Sequence, residues 1–176
     1  MKALLALIPA IWAMPSMAAV IDSGPGGFTV SVERKLGPDS AEARQSAWSI
    51  LISTDRWWSP AHSWSGDAGN MTLDPAVGGC WCEKLKDGGR IEHARIFGIA
   101  PQERLLMRGG LGPLSSLPVT GVLEWTIGAK AGQTVVTLRY AVGGYGLGDA
   151  AKFAKAVDAV FVEQAGRLEV AVRGKR

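Results

Sequence analysis

The stretch 149–172 reads DAAKFAKAVDAVFVEQAGRLEVAV. Phe153, Val157, Val160, Phe161, Gln164 and Leu168 recur at three- and four-residue spacing. That spacing draws a largely apolar stripe along one side of a long helix. Lys152, Lys155, Asp158, Glu163 and Arg167 fall largely elsewhere. A helix with one such stripe must bury it against a broad apolar surface, and the preceding chain supplies one.

That chain is mostly strand. Phe28, Val30 and Val32 alternate with Thr29, Ser31 and Glu33, the pattern of a half-buried strand. A short strand is expected near 70–73. Segments 79–86 and 90–99 flank Asp87-Gly88-Gly89, a strong hairpin signal. Segment 104–111 is a further strand, and 119–127 and 133–142 form a second hairpin around 128–132. Between the first strand and the rest, Asp39 or Ser40 caps a helix running to about Leu51, with Glu42 placed for a capping box. A second helical turn carries Trp57 and Trp58 and stops at Pro60. The expected architecture is α+β: a curved antiparallel sheet of about seven strands wrapped around the long C-terminal helix, with two short helices after the first strand. The space between sheet and helix is the natural place for a ligand cavity.

The segment between Trp48 and Cys82 is dense in aromatic residues: Trp48, Trp57, Trp58, Trp64 and Trp81 all lie in it. Such a cluster marks a core corner or the wall of a pocket. Trp48 reads as core. Trp57, Trp58, Trp64, Trp81, His93, Met107, Trp125, Tyr140 and Phe153 are the candidate ligand-binding residues.

The chain has 176 residues, 47% hydrophobic and 20% charged. That balance supports one globular domain with a sizeable core. The net charge of +3 is scattered rather than gathered into a stripe with interleaved aromatics, which argues against nucleic acid as a partner. Lys2, the apolar run to Met14 and the small residues around Ala18 form a signal-peptide pattern over 1–18, too short to span a bilayer. Residues 19–27 read as a glycine-containing linker, 28–172 as the folded domain and 173–176 as a basic tail. The expected mature protein is exported, in all expectation to the periplasm, without stable membrane insertion.

Several motifs resemble a known family. Arg56-Trp57-Trp58 follows the first helices, DPAVGG at 74–79 opens a strand, IAPQERL at 99–105 joins two strands, and QTVVTL at 133–138 lies in the last strand. In this order they resemble the SRPBCC or START-like superfamily, which has the helix-grip fold and includes polyketide cyclases. The branch that the chain is most similar to contains the Hsp90 ATPase activator homology domain. The resemblance spans about 28–172. It implies a START-like domain with a hydrophobic-ligand cavity between sheet and long helix, and it implies no single reaction.

Motifs for specific chemistry are sparse. There is no nucleophile-elbow motif and no phosphate-binding loop. Gly143 to Gly148 reads as a hinge before the long helix. Cys80 and Cys82 on an extended strand would sit about 6.5 Å apart, near the limit for a bridge, so two reduced, partly buried thiols are the expectation. No cofactor is expected. A metal site of Cys80, Cys82 and His93, completed by His62 or Asp67, depends on the hairpin loop: an even loop puts His93 beside Cys82, and a three-residue loop puts it on the other face. His93 is also the candidate acid/base, with Glu92, Asp67 or Tyr140 beside it. Arg95 or Arg108 would hold a ligand carboxylate if turned inward. The reading favoured by the sequence is an exported protein that binds a small hydrophobic or amphipathic molecule. The alternatives are a cyclase, isomerase or hydrolase acting through His93, and an envelope interaction or stress protein with a vestigial cavity.

Overall fold

A computed structural model describes the backbone of residues 19–174 and the side chains of residues 22–174. The expected signal segment, 1–18, and the last two residues of the basic tail lie outside the described residues. Eight strands form one antiparallel sheet: β1 (Ala19–Gly24), β2 (Gly27–Pro38), β3 (Met71–Leu73), β4 (Cys80–Lys84), β5 (Arg90–Ala100), β6 (Arg104–Arg108), β7 (Val119–Lys130) and β8 (Gln133–Gly144). Their order across the sheet is β1-β2-β8-β7-β6-β5-β4-β3. Among the described residues two α-helices accompany the sheet, α1 (Ala41–Leu51) and α2 (Ala150–Arg173).

The eighth strand is β1, within the segment expected to be a linker. Val20 and Ile21 are β-branched, and Pro25-Gly26 turns the chain so that Gly24 pairs with Gly27. The second short helix is three separate 3₁₀ turns, Thr54–Arg56, Pro60–His62 and Ala68–Asn70. Pro60 has no N–H to donate, so it opens a turn rather than extending the one before. Ser40, not Asp39, caps α1, accepting from Ala43 N at 3.1 Å. Asp39 instead accepts from Arg44 and from the Thr134 hydroxyl on β8, tying the start of α1 to the sheet.

β2 shows why the sheet has an inside. Phe28, Val30, Val32, Arg34 and Leu36 are buried, with less buried residues between them. α2 packs on β1 and β2, with α1 beside it. Arg34 lies on that inner face, and its guanidinium donates to the Val162 carbonyl of α2 at 3.0 Å. β-Bulges interrupt β1, β2 and, twice, β5, and each adds local twist, so the sheet curves around the helix. β7 and β8 are longer than the sequence pattern predicts. Lys130 pairs with Gln133, leaving a two-residue turn with positive φ at Ala131 (48°) and Gly132 (72°). That handedness at both positions matches the twist of the flanking strands.

Candidate functional site: an apolar cavity and a buried Glu83–His93 pair

A cavity of about 420 Å³ lies between the 58–64 loop, the 111–114 turn and α2. Its floor is buried Trp58, Leu114 and Phe161. Half-buried Phe153, Val157 and Val160 of α2 form one wall, and Leu111 with Pro113 forms another. Trp64, half exposed, stands at the rim with Ala61 and His62. The α2 stripe read from the sequence therefore divides its work: Phe161 and Leu168 are core, and Phe153, Val157 and Val160 are left for the cavity.

Side-chain hydrogen bonds fix the 58–64 loop. Trp58 Nε1 donates to the His62 carbonyl at 2.9 Å. Ser59 N donates to Gln164 Oε1 of α2 at 2.8 Å, and Arg167 Nε of α2 donates to the Trp57 carbonyl at 2.8 Å. At the rim His62 Nε2 is 3.0 Å from Glu163 Oε2. The opposite wall is fixed by Tyr140. Its buried hydroxyl donates to the Gly109 carbonyl at 2.8 Å and accepts from Leu111 N at 3.1 Å. Burial pushes this phenol up to about 12, against a smaller opposing effect of the Leu111 N–H, so it stays neutral and keeps both bonds.

The candidate binding residues fall into two groups. Trp58, Trp64 and Phe153 line the cavity. Trp57, Trp81, Met107, Trp125 and Tyr140 are buried in the core beneath it. Trp57 meets Trp58 and Trp125 edge to face at 5.5 and 5.6 Å between ring centres, and Trp58 meets Trp81 at 4.8 Å. Leu111, Pro113 and Leu114 line the cavity but belong to no sequence motif; only the fold brings their turn to α2.

His93 is buried behind this wall, its ring 5.1 Å from Trp81, and does not line the cavity. Its partner is none of the expected Glu92, Asp67 or Tyr140. His93 Nε2 is 3.0 Å from Oε2 of Glu83, which is fully buried. The Glu83 carboxylate also accepts from Trp64 N at 3.1 Å and from Ser65 N at 2.6 Å. It thereby anchors the loop that carries Trp64 to the cavity rim. Burial pushes the Glu83 carboxyl up, but hydrogen bonds from Ser65 and Trp64 and the His93 charge outweigh it and hold it below its ordinary value. Burial pulls His93 down, against the pull of Glu83. At neutral pH the pair is an anionic carboxylate accepting from the Nε2–H of a neutral imidazole.

Glu83 carried a signal that sequence reading missed. It is two residues from Trp81 on one strand, so it shares the face of a tryptophan. A carboxylate is seldom placed inside, and that prior hid it.

The hairpin loop decides the metal question. Leu85 N donates to the Gly89 carbonyl at 2.8 Å, so three residues, Lys86 to Gly88, lie between them. Cys82 then pairs with Glu92 rather than with His93. His93 turns in to Glu83, away from the sulfurs. Cys80 and Cys82 are joined in a disulfide, which corrects the expectation of two reduced thiols. The strand is less than fully extended here: the two Cα atoms are 5.4 Å apart, well inside bonding range, where the pairing with β5 skips His93. Among the described residues Cys80, Cys82 and Glu92 gather donor atoms of the metal-binding type, but the two sulfurs are bonded to each other. Arg95 and Arg108 are exposed rather than inward. Arg95 pairs with Glu92, and Arg108 lies over the Phe97 ring at 4.7 Å.

No family model matches the chain, and no curated protein matches it. Solved structures do. A protein from Mesorhizobium loti superposes with a TM-score of 0.59 at 17% identity, over 84% of this chain and 98% of that one. CalU16 from Micromonospora echinospora gives 0.54 at 13% identity, over 93% and 87%. StfQ, a di-domain ARO/CYC protein of the steffimycin biosynthetic pathway, gives 0.51 at 14% identity, over 83% of this chain and half of its own, 50%. At such identities the likeness is one of fold, and the fold shown is α+β of the helix-grip kind, with an eight-stranded curved antiparallel sheet holding a long C-terminal helix.

Proposed function

We propose that this protein binds a small hydrophobic or amphipathic molecule in the cavity between the 58–64 loop, the 111–114 turn and α2. The observation that carries the reading is the cavity itself: about 420 Å³ lined mainly by Trp58, Trp64, Leu111, Phe153, Val157 and Val160. Sites for small organic ligands are of this size and character, apolar with a few polar groups for orientation. Here His62 and Ser63 are the polar side chains in the lining.

The enzymatic alternative finds weaker support. A general acid or base must reach the proton it moves. His93 lies outside the lining, and His62 is the one titratable side chain among the described residues that line the cavity. The resemblance to the activator-domain branch adds no ligand of its own to this reading.

The test is native mass spectrometry of the purified protein, then tryptophan-fluorescence titration with apolar probes. A co-purifying lipid or aromatic, or a saturable response, is expected. Trp64→Ala should weaken binding about tenfold, since one large apolar contact contributes on the order of 1.5 kcal/mol. Trp64 is 51% exposed, so the melting temperature should barely move. Phe153→Asp should abolish binding. A clean apo mass with no response to any probe would move the weight to a filled, vestigial cavity.

We also propose export to the periplasm, supported by the 1–18 pattern and by a disulfide of the kind that persists in oxidising compartments. Intact mass of protein from the cell envelope should show loss of residues 1–18; a full-length mass in the cytosolic fraction would overturn the proposal.

A further inference from the structure

The Cys80–Cys82 disulfide is poorly explained as a structural staple. A cross-link stabilises chiefly by closing a loop, and the gain grows with loop length. This one encloses a single residue, Trp81, and ties no distant element to another. Its surroundings are those of a reactive group. Cys80 is half-buried, whereas Cys82 is 5% exposed, so an incoming nucleophile meets Cys80 first. Glu92 places its carboxylate 3.9 Å from the Cys80 sulfur, and Arg95 holds that carboxylate and also donates to the Gly78 carbonyl at 2.8 Å.

Charge adds direction. Arg95 is the cross-strand partner of Cys80, and Arg108 is the cross-strand partner of Arg95, so the row leading away from the sulfur carries two cations side by side. Glu92 neutralises one of them. Arg108 has a ring beneath it and no carboxylate within ion-pair distance among the described residues. Lys84 and Arg90, a cross-strand pair, lie beside the turn of the same hairpin. Asp74, whose N–H donates to the Cys80 carbonyl, adds a second carboxylate, so the four cations outnumber the two acids around the disulfide and Cys80 is its accessible sulfur.

We propose that Cys80–Cys82 is a thiol–disulfide exchange site whose substrates are small thiols carrying additional negative charge. A thiolate attacks Cys80 Sγ, forming a mixed disulfide there. The Cys80–Cys82 bond breaks, and Cys82 leaves as a thiolate that takes a proton from solvent. A second thiolate attacks the substrate sulfur of the mixed disulfide, releasing the substrate disulfide and a Cys80 thiolate, which is protonated in turn. Two thiols are oxidised and one protein disulfide is reduced, and the electrons balance. The cationic row raises the local concentration of an anionic thiol and lowers that of a cationic one. Trp81 lies between the two cysteines in sequence and packs against His93 and Trp58, so its fluorescence reports the change.

The experiment reduces the folded protein with three small thiols at equal thiolate concentration and low salt: mercaptoethanesulfonate, mercaptoethanol and cysteamine. Reduction is followed by alkylation and mass spectrometry, and Trp81 by fluorescence. The anionic thiol is expected to react at least about threefold faster than the cationic one, with the difference shrinking as salt rises. Arg108→Gln, at an exposed position, should narrow the gap without changing the melting temperature. Cys82→Ser, treated with the symmetrical disulfide of mercaptoethanesulfonate instead of the free thiol, should hold the mixed disulfide on Cys80, the released thiol carrying away the other half of the reagent. A bond that resists all three thiols until the protein unfolds would overturn the proposal. So would rates that do not depend on thiol charge, or a gap unchanged in Arg108→Gln. Ligand binding in the α2 cavity plays no part in these measurements, so failure here leaves that reading standing.

Discussion

Glu83→Ala is expected to destabilise the protein by about 3–5 kcal/mol, the scale for breaking one side of a buried polar pair. Three partners lose their acceptor at once: the Trp64 and Ser65 amides and the His93 imidazole. The loss should also reach the cavity, because the two amides belong to the loop that carries Trp64 to the rim. Glu83→Gln is the finer probe. It keeps an acceptor oxygen but removes the charge, so His93 loses the larger of the two effects of Glu83 that draw its proton affinity upward. Its titration, followed by NMR, should move to lower pH still. A His93 titration unchanged in Glu83→Gln would mean that the two side chains do not meet.

The same pair sets a direction for acid stability. Glu83 is depressed in the folded state, so its contribution is present above its ordinary 4.5 and is lost as pH falls through its folded value. His93 is depressed too. The folded state disfavours its protonation, so stability begins to fall as pH drops below its ordinary 6.5. Both effects make the protein labile to acid, and denaturation midpoints measured from neutral pH downward should decline first through His93 and then, at lower pH, through Glu83.

Gly121→Ala should be nearly as damaging. A Cβ at this position would overlap the edge of the Tyr140 ring, far closer to its Cε2, Cζ and hydroxyl atoms than van der Waals contact allows. Gly121 is also held from the other side, exchanging both backbone hydrogen bonds with Gly109 at 3.0 and 3.1 Å. Neither the strand nor the ring has room to yield, which puts the cost near the upper end for overpacking, about 3 kcal/mol. The ring would be pushed off Gly109 and Leu111, and the 111–114 wall of the cavity with it. Tyr140→Leu removes the clash, so the double variant should be clearly more stable than the sum of the two single losses. Additive losses in chemical denaturation would show that the ring does not lie over Gly121.

Much of the fold was legible because period speaks plainly where one face is apolar. The stripe from Phe153 to Leu168 and the alternation of Phe28, Val30 and Val32 place helix and strand face to face. Two things were hidden. β1 was hidden because the glycines around it outweigh its few β-branched residues. The interior of the β4–β5 hairpin was hidden because it depends on backbone detail that residue pattern does not carry. An ideal extended strand keeps the cysteines too far apart to bond easily, and an unknown loop length leaves the direction of His93 open. With a less extended β4 and a three-residue loop, the sulfurs meet and His93 finds Glu83. The site itself was half legible. Tryptophan count pointed to the right region, but which indoles line a space and which fill one depends on how α2 and two loops come together.

The position of β2 in the sheet has a consequence for how the chain assembles. β2 comes near the start of the described chain, yet one of its neighbours is β8, with Gly27 opposite Gly143. Closing so long a loop costs entropy before any contact repays it, and such topologies fold slowly. β7 and β8, joined by two residues, can pair at once. Assembly should therefore run from the C-terminal half backward, with the β7–β8 hairpin as nucleus and β2 docking late. Until then Phe28, Val30, Val32 and Leu36 form an unpaired apolar edge, and that segment is where a holding chaperone would grip the nascent chain and where aggregation would begin without one.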